Sequence, residues 1–367
     1  MAIALILLLI TVFAVYRVMT PSSSQEVPAS ETTDGTADPD DSPDSSQPDV
    51  PQVSGELDGG GAANAVSAME GWSLALEEAG SLKLGYNPVG NNMGLEEFLK
   101  GDRQYAITTR PMDETEANSA DGCEAPPLHL PVLADPVALA VNVPEVEDLV
   151  LDAKTLAAIY QGEITSWNDP AIAELNPEAE LPDLKITPVY RSDRTPVNRA
   201  MTEWLQASGA WSLAAGDDWP AKGGTPATAS ETRRQLETAG AIAYLPASAA
   251  VRDTQVALVR HGGKDLSAHG PEGAYQIDGS PKVPGRPEHD QARQLDRNID
   301  GAYPAVVVSY VVVCGKYPDA ADGERVREVF GWILSPEGHR LAVDEKLTSA
   351  FSEGLYGELA SAIESIG

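Results

Sequence analysis

Residues 151–205 read LDAKTLAAIYQGEITSWNDPAIAELNPEAELPDLKITPVYRSDRTPVNRAMTEWL, and this stretch decides the fold class. Apolar residues recur at helical spacing over 153–161, so a helix is expected there. The run 184–191 (LKITPVYR) reads as a strand. A second helix is expected over 195–207, because Thr195 is a good N-cap and Pro196 suits the first helical position. Working outward, strands are expected at 82–87 (LKLGYN), 105–109 (YAITT) and 137–143 (VALAVNV), with a helix over 64–76. The β-branched run 306–313 (VVVSYVVV) suits only a sheet interior. Helical patterning continues from there to the C-terminus. Alternation of this kind implies α/β sheets with helices on both faces.

The chain has 367 residues, 56 of them acidic and 25 basic, for a formal charge of −31. Its length is enough for two packed lobes. Its charge excludes nucleic acid as a partner, because a phosphate backbone needs a positive footprint, and it disfavours an anionic membrane surface. It also repels a free anion at long range, so any anion must be held by local donors. The only cysteines are Cys123 and Cys314, with no CxxC, and the five histidines fall at no metal-ligand spacing. No metal site and no cofactor are expected. In an exported chain the two cysteines form one disulfide, the alternative being two unrelated buried thiols.

Residues 1–16 (MAIALILLLITVFAVY) carry no charged side chain. Arg17 can snorkel, and Val18 and Met19 extend the apolar stretch to about the 20 residues a bilayer core requires. We expect a transmembrane anchor over 1–20, with a cleaved signal as the alternative; no small-x-small cleavage site precedes Pro21. The positive-inside rule acting on Arg17 alone would hold the wrong side in the cytoplasm. Residues 21–52 contain no Lys or Arg and almost no large apolar side chain. They are expected to form a disordered acidic linker. Its aspartates lack the Gly and distal Glu of an EF-hand.

Three junctions in the globular part resemble helix starts that present free N–H groups to an anion. They are Asp58-Gly59-Gly60-Gly61 before a helix near Asn64, Gly90-Asn91-Asn92-Met93-Gly94 before a helix over 95–100, and Arg191-Ser192-Asp193-Arg194-Thr195-Pro196. The first lacks the ending of a nucleotide P-loop, and a plain tight turn explains it equally well. In the third, Arg191 could grip an anion with Asp193 holding it, or the two could form an ordinary surface ion pair. There is no nucleophile elbow and no fixed catalytic constellation, so an enzyme is not expected.

The ordered sequence of a Leu-Ala-Ala-Ile-Tyr-x-Gly helix, Trp167-Asn168-Asp169, Leu175-Asn176-Pro177 and a strand ending in Arg191-x-Asp193 resembles the phosphate-binding proteins of ABC importers, the PstS type. Weaker similarity runs through 53–142, 240–248 (GAIAYLPAS) and 304–351. The resemblance implies a two-lobed, periplasmic-binding-protein-like α/β fold with hinge strands, the first lobe being 53–133 plus 304–367 and the second 134–303. It implies an extracytoplasmic, membrane-anchored protein that binds phosphate, or failing that sulfate or another small anion, and delivers it to ABC permease subunits. A sensor or scaffold with a degenerate pocket is the alternative. Carried over residue by residue, the ligand set is Ala63, Asn64, Asn91, Thr109, Arg191, Asp193, Thr195 and Val197. Several positions depart from the family's pattern. Arg194 and Pro196 replace glycines, Ala63 and Val197 each lose a hydroxyl, and Thr109 stands where the family has the Asp that accepts phosphate's proton. Arg110 and Arg194 are expected to add positive charge nearby.

Overall fold

The computed structural model describes residues 50–367 except 222, 251 and 252. The expected anchor and nearly all of the expected linker lie outside these residues. No helix among the described residues is long and apolar enough to cross a membrane.

The strands are β1 (Glu56–Gly61), β2 (Lys83–Asn87), β3 (Tyr105–Thr108), β4 (Ala125–Val141), β5 (Val150–Asp152), β6 (Thr187–Arg191), β7 (Thr225–Ala227), β8 (Ala241–Pro246), β9 (Gln255–His261), β10 (Lys264–Leu266) and β11 (Val306–Lys316). They follow the order β2-β1-β3-β11-β4-β8-β6-β7, with β9 also on β4, and β5 and β10 on β9. The β1–β3 pairs are parallel, whereas β11 runs antiparallel to β3 and β4.

The two lobes are joined through β4. Up to Pro136 it pairs with β11, and from Val137 onward it pairs with β8 and β9. The strand expected at 137–143 is thus the second half of one 17-residue strand. Its side chains are buried from Pro127 to Val141 on both faces, which is why this run shows no polar alternation. Beside the changeover, Val137 N–H donates to Ala305 O at 2.7 Å, so the returning chain crosses next to the outgoing one.

The 151–205 stretch folds as its capping chemistry dictates. Asp152 accepts from Thr155 N–H in a capping box, and the Ala153–Gln161 helix ends on Gly162 at φ 78°. Asp169 caps a short helix with Pro170 in its first turn, and Thr195 does the same for Pro196–Ala207. Trp167 is buried and donates from Nε1 to Gly240 O at 3.1 Å. Asn176 spans Val150, accepting from its N–H at 2.7 Å and donating to its C=O at 2.8 Å. Trp167 and Asn176 hold loops to strands, and neither lines the cavity described below.

Residues 270–293 bond largely to elements of the first lobe. His129 accepts from Met112 N–H through Nε2 at 3.1 Å, which leaves Nδ1–H to donate to Asp290 at 2.8 Å. Gln291 N–H donates to His129 O, Arg293 pairs with Glu358 at 2.8 Å, and Ser352 donates to Asp278 at 2.9 Å.

Cys123 and Cys314 are joined by a disulfide, their Cα atoms 5.3 Å apart. It fastens the segment entering β4 to β11 across 191 residues of chain. Closing so long a loop stabilises by about 2–4 kcal/mol, chiefly through the unfolded state.

Candidate anion-binding site

A cavity of about 460 Å³ opens where the ends of β1, β3 and β6 face the changeover in β4. Ala63, Asn64, Asn91, Thr109, Arg191, Asp193, Thr195 and Val197 all line it, together with Ala62, Gly90, Arg194, Pro196, Ala229, Pro246, Val307 and Asp135. Every residue of the expected ligand set therefore meets at one cavity, although the set is scattered over 135 positions (197 minus 63, counted inclusively).

Arg191 ends β6, which lies between β7 and β8. Its guanidinium grips Asp193 twice, Nε to Oδ1 at 2.8 Å and Nη2 to Oδ2 at 2.5 Å. The side chain is only 11% exposed. That fork holds the Asp193 carboxyl below the usual carboxylate range. Two of the five guanidinium donors are used this way, so Arg191 keeps donors for an anion. The turn beyond is fixed by Asn198, which is wholly buried. Its Nδ2 donates to the carbonyls of Arg191, Asp193 and Asp217, and its Oδ1 accepts from Tyr244 Oη–H at 2.7 Å. Tyr244 Oη in turn accepts from Arg191 N–H at 3.2 Å. Sequence reasoning missed both residues; an Asn inside a helix, aimed back at its own cap, was the available signal.

Thr195 caps the Pro196–Ala207 helix, its Oγ1 accepting from Val197 N–H at 3.4 Å. Arg194 lines the cavity but its side chain is 72% exposed and bonds Asp218 at 2.7 Å. Arg110 is not among the residues lining this cavity; it lines an adjoining one that shares Thr109. Both of its Nη atoms donate to Glu116, at 2.7 and 2.6 Å, and the adjoining cavity has a volume of about 420 Å³.

The two first-lobe junctions differ from expectation. The glycines at 59–61 lie inside β1 rather than in a turn, and the helix that follows runs Val66–Glu78 after one 3-10 turn at Ala63–Ala65. Their role is packing: a Cβ on Gly59 would strike the Tyr105 ring at 2.3 Å. The second helix starts at Asn91, four residues earlier than expected, with Gly90 at φ 88° as its cap. Asn91 and Thr109 satisfy each other, Nδ2 donating to Oγ1 at 2.8 Å and Oδ1 accepting from Thr109 N–H at 3.2 Å. Asn64 Nδ2 donates to Ser309 Oγ at 2.9 Å.

Asp135 was missed altogether. It sits on β4 opposite Val307, one residue before the pairing changes, and is 4% exposed. Ser248 Oγ–H donates to its Oδ2 at 2.6 Å, and Ser248 N–H to its Oδ1 at 3.3 Å. Burial pushes its carboxyl up to about 7. The single acid in a 17-residue strand whose only other polar side chain is His129 was a legible signal.

Comparison with known proteins bears on the family and the fold. The model of the PBP superfamily domain matches residues 29–337. Phosphate-binding protein PstS 2 of Mycobacterium tuberculosis is 29% identical over 324 residues, covering 85% of this chain and 87% of that protein. Phosphate-binding protein PstS3 of Mycobacterium bovis is 31% identical over 259 residues, covering 66% and 69%. Among solved structures, a phosphate-binding protein from Stenotrophomonas maltophilia superposes with a TM-score of 0.60 at 17% identity, over 84% of this chain and 93% of that one.

Proposed function

Since the chain belongs to the PBP superfamily, among its PstS-type phosphate-binding proteins, we propose that it holds one phosphate-class anion in the Arg191 cavity and presents it to an ABC permease. The observation that carries this reading is the Arg191–Asp193 fork at the rim of a capped helix start, inside a cavity bounded by both lobes. With 31 net negative charges on the chain, a bound anion depends on such short-range donors. The protein works outside the cytoplasm, where the Cys123–Cys314 bond is stable. Residues 1–20 anchor it to the membrane and 21–52 tether it. It acts as a binding protein and not as an enzyme. We draw the end of the second lobe near residue 267, because 270–293 bonds to first-lobe elements.

A sensor or scaffold role is favoured by one observation. Asn91 and Thr109 use their polar atoms on each other, which leaves fewer donors for a ligand than two free side chains would offer.

Arg191→Ala and Arg194→Ala separate the readings. Charged hydrogen bonds contribute about 1.5–3 kcal/mol each, so Arg191→Ala is expected to weaken phosphate binding about tenfold or more. Arg194→Ala is expected to change it little, since that side chain is mostly in solvent. Equilibrium dialysis against radiolabelled phosphate measures both. Equal affinities for wild type and Arg191→Ala would contradict the assignment.

A further inference from the structure

Of the two carboxylates on the cavity wall, one has no cationic partner among the described residues. Asp193 is committed to Arg191 through both oxygens. The Asp135 carboxyl has no salt bridge among the described residues, and its partners are Ser248 Oγ–H and the N–H groups of Ser248 and Ala247. Two carboxylate oxygens offer about four lone-pair sites, so at least one remains open. Thr109, by contrast, has no carboxylate to offer, and its Oγ1 already accepts from Asn91.

A buried, unpaired carboxylate beside an anion is costly unless a proton lies between them. Phosphate keeps at least one proton at neutral pH and sulfate keeps none. A carboxyl lining the cavity therefore tells the two apart: it accepts P–O–H, and it repels an oxyanion that has no hydrogen to give. Asp135 is well placed for this, being fixed in the middle of β4 rather than on a loop, and clamped by Ser248 from the neighbouring β8 end.

We propose that Asp135 is the specificity residue of this cavity, accepting the hydrogen of a protonated phosphate oxygen in place of the carboxylate that position 109 lacks. The proposal rests on the cavity being an anion site. Seen this way, the substitution at Thr109 does not abolish discrimination against sulfate. It moves the acceptor from the end of β3 to the strand that joins the lobes, where a proton shared with the ligand also ties it to the hinge.

The test is a titration of the full chain, wild type and Asp135→Asn, with inorganic phosphate and separately with sulfate at pH 8, where the carboxyl is ionised and phosphate still carries a proton. Asn keeps the shape and can accept from the same N–H groups, but one acceptor becomes a donor. Wild type is expected to prefer phosphate by at least about tenfold. Asp135→Asn is expected to lose about tenfold or more in phosphate affinity while sulfate binding stays level or tightens. Far-ultraviolet circular dichroism of both proteins establishes that the variant is folded. If both proteins bind both anions with the same phosphate-to-sulfate ratio, the proposal is overturned while the anion site stands. If wild type binds neither anion, the reading of the cavity falls and the proposal with it.

Discussion

Asp135→Asn is expected to be more stable than wild type at pH 8, by a margin that vanishes near pH 4. Burial raises the wild-type carboxyl from its ordinary 3.8 to about 7, so the folded protein binds a proton there that the unfolded chain has released. Stability from this group is therefore complete below about pH 4 and is lost as pH rises through 7. The displacement corresponds to a difference on the order of 4 kcal/mol as a ceiling, which solvent entering the cavity reduces. Arg191, Asp193 and Arg194 are the other charged groups of the cavity wall. Asn carries no charge at any pH, and the Ser248 hydroxyl can rotate to accept from it. Urea unfolding at pH 4 through 8 in anion-free buffer measures the gap. A gap that stays constant across that range would mean that Asp135 is solvated and ordinary. A residue that costs stability at working pH and yet occupies a ligand cavity is the pattern expected of a functional group.

Gly61→Ala is expected to destabilise the protein by about 3 kcal/mol or more. Gly61 sits at φ +142°, and a Cβ there would lie 2.0 Å from Ile107 O. The obstacle is backbone of β3, which cannot rotate aside. Gly94 presses from the other side, since its own Cβ would come within 2.5 Å of Gly61 Cα. Binding should suffer as well, because β1 delivers Ala62, Ala63 and Asn64 to the cavity. Gly71→Ala is the matching control. It lies within the Val66–Glu78 helix with nothing within 4 Å, and should be neutral or stabilise by about 0.5–1 kcal/mol. Equal melting temperatures for Gly61→Ala and wild type would show that β1 and β3 can separate freely.

These two sites also show how far the sequence could be read. The glycine run at 59–61 was read as an anion-facing helix start or a plain tight turn, and it is neither, since it lies inside β1. Sequence could not say that the Tyr105 ring and the β3 backbone come close there rather than a ligand, because both needs select the same residue. The helix starting at Thr195 was legible to the residue, since N-cap and Pro chemistry act locally. The start at Asn91 was not: no side chain caps it, and only the φ of Gly90 marks it. β4 was read short because its first half, LHLPVLADP, has prolines that weaken a strand reading, and the pairing that overrides them is with β11, far along the chain. In the site, the eight positions carried over from the family's motif order are half of the sixteen residues that line the cavity. What motif order could not convey were contacts of high sequence separation, such as Asp135 with Ser248, or the side-chain pairing of Asn91 with Thr109.

Calorimetric titration of phosphate onto the full chain, after any co-purified anion has been dialysed away, bears most directly on what this protein does. One phosphate bound per chain is expected, at micromolar concentration or below on the order of −8 kcal/mol or stronger, with the heat abolished or greatly weakened in Arg191→Ala. Absence of any phosphate heat from folded wild type at millimolar ligand, or an identical isotherm from Arg191→Ala, would contradict it.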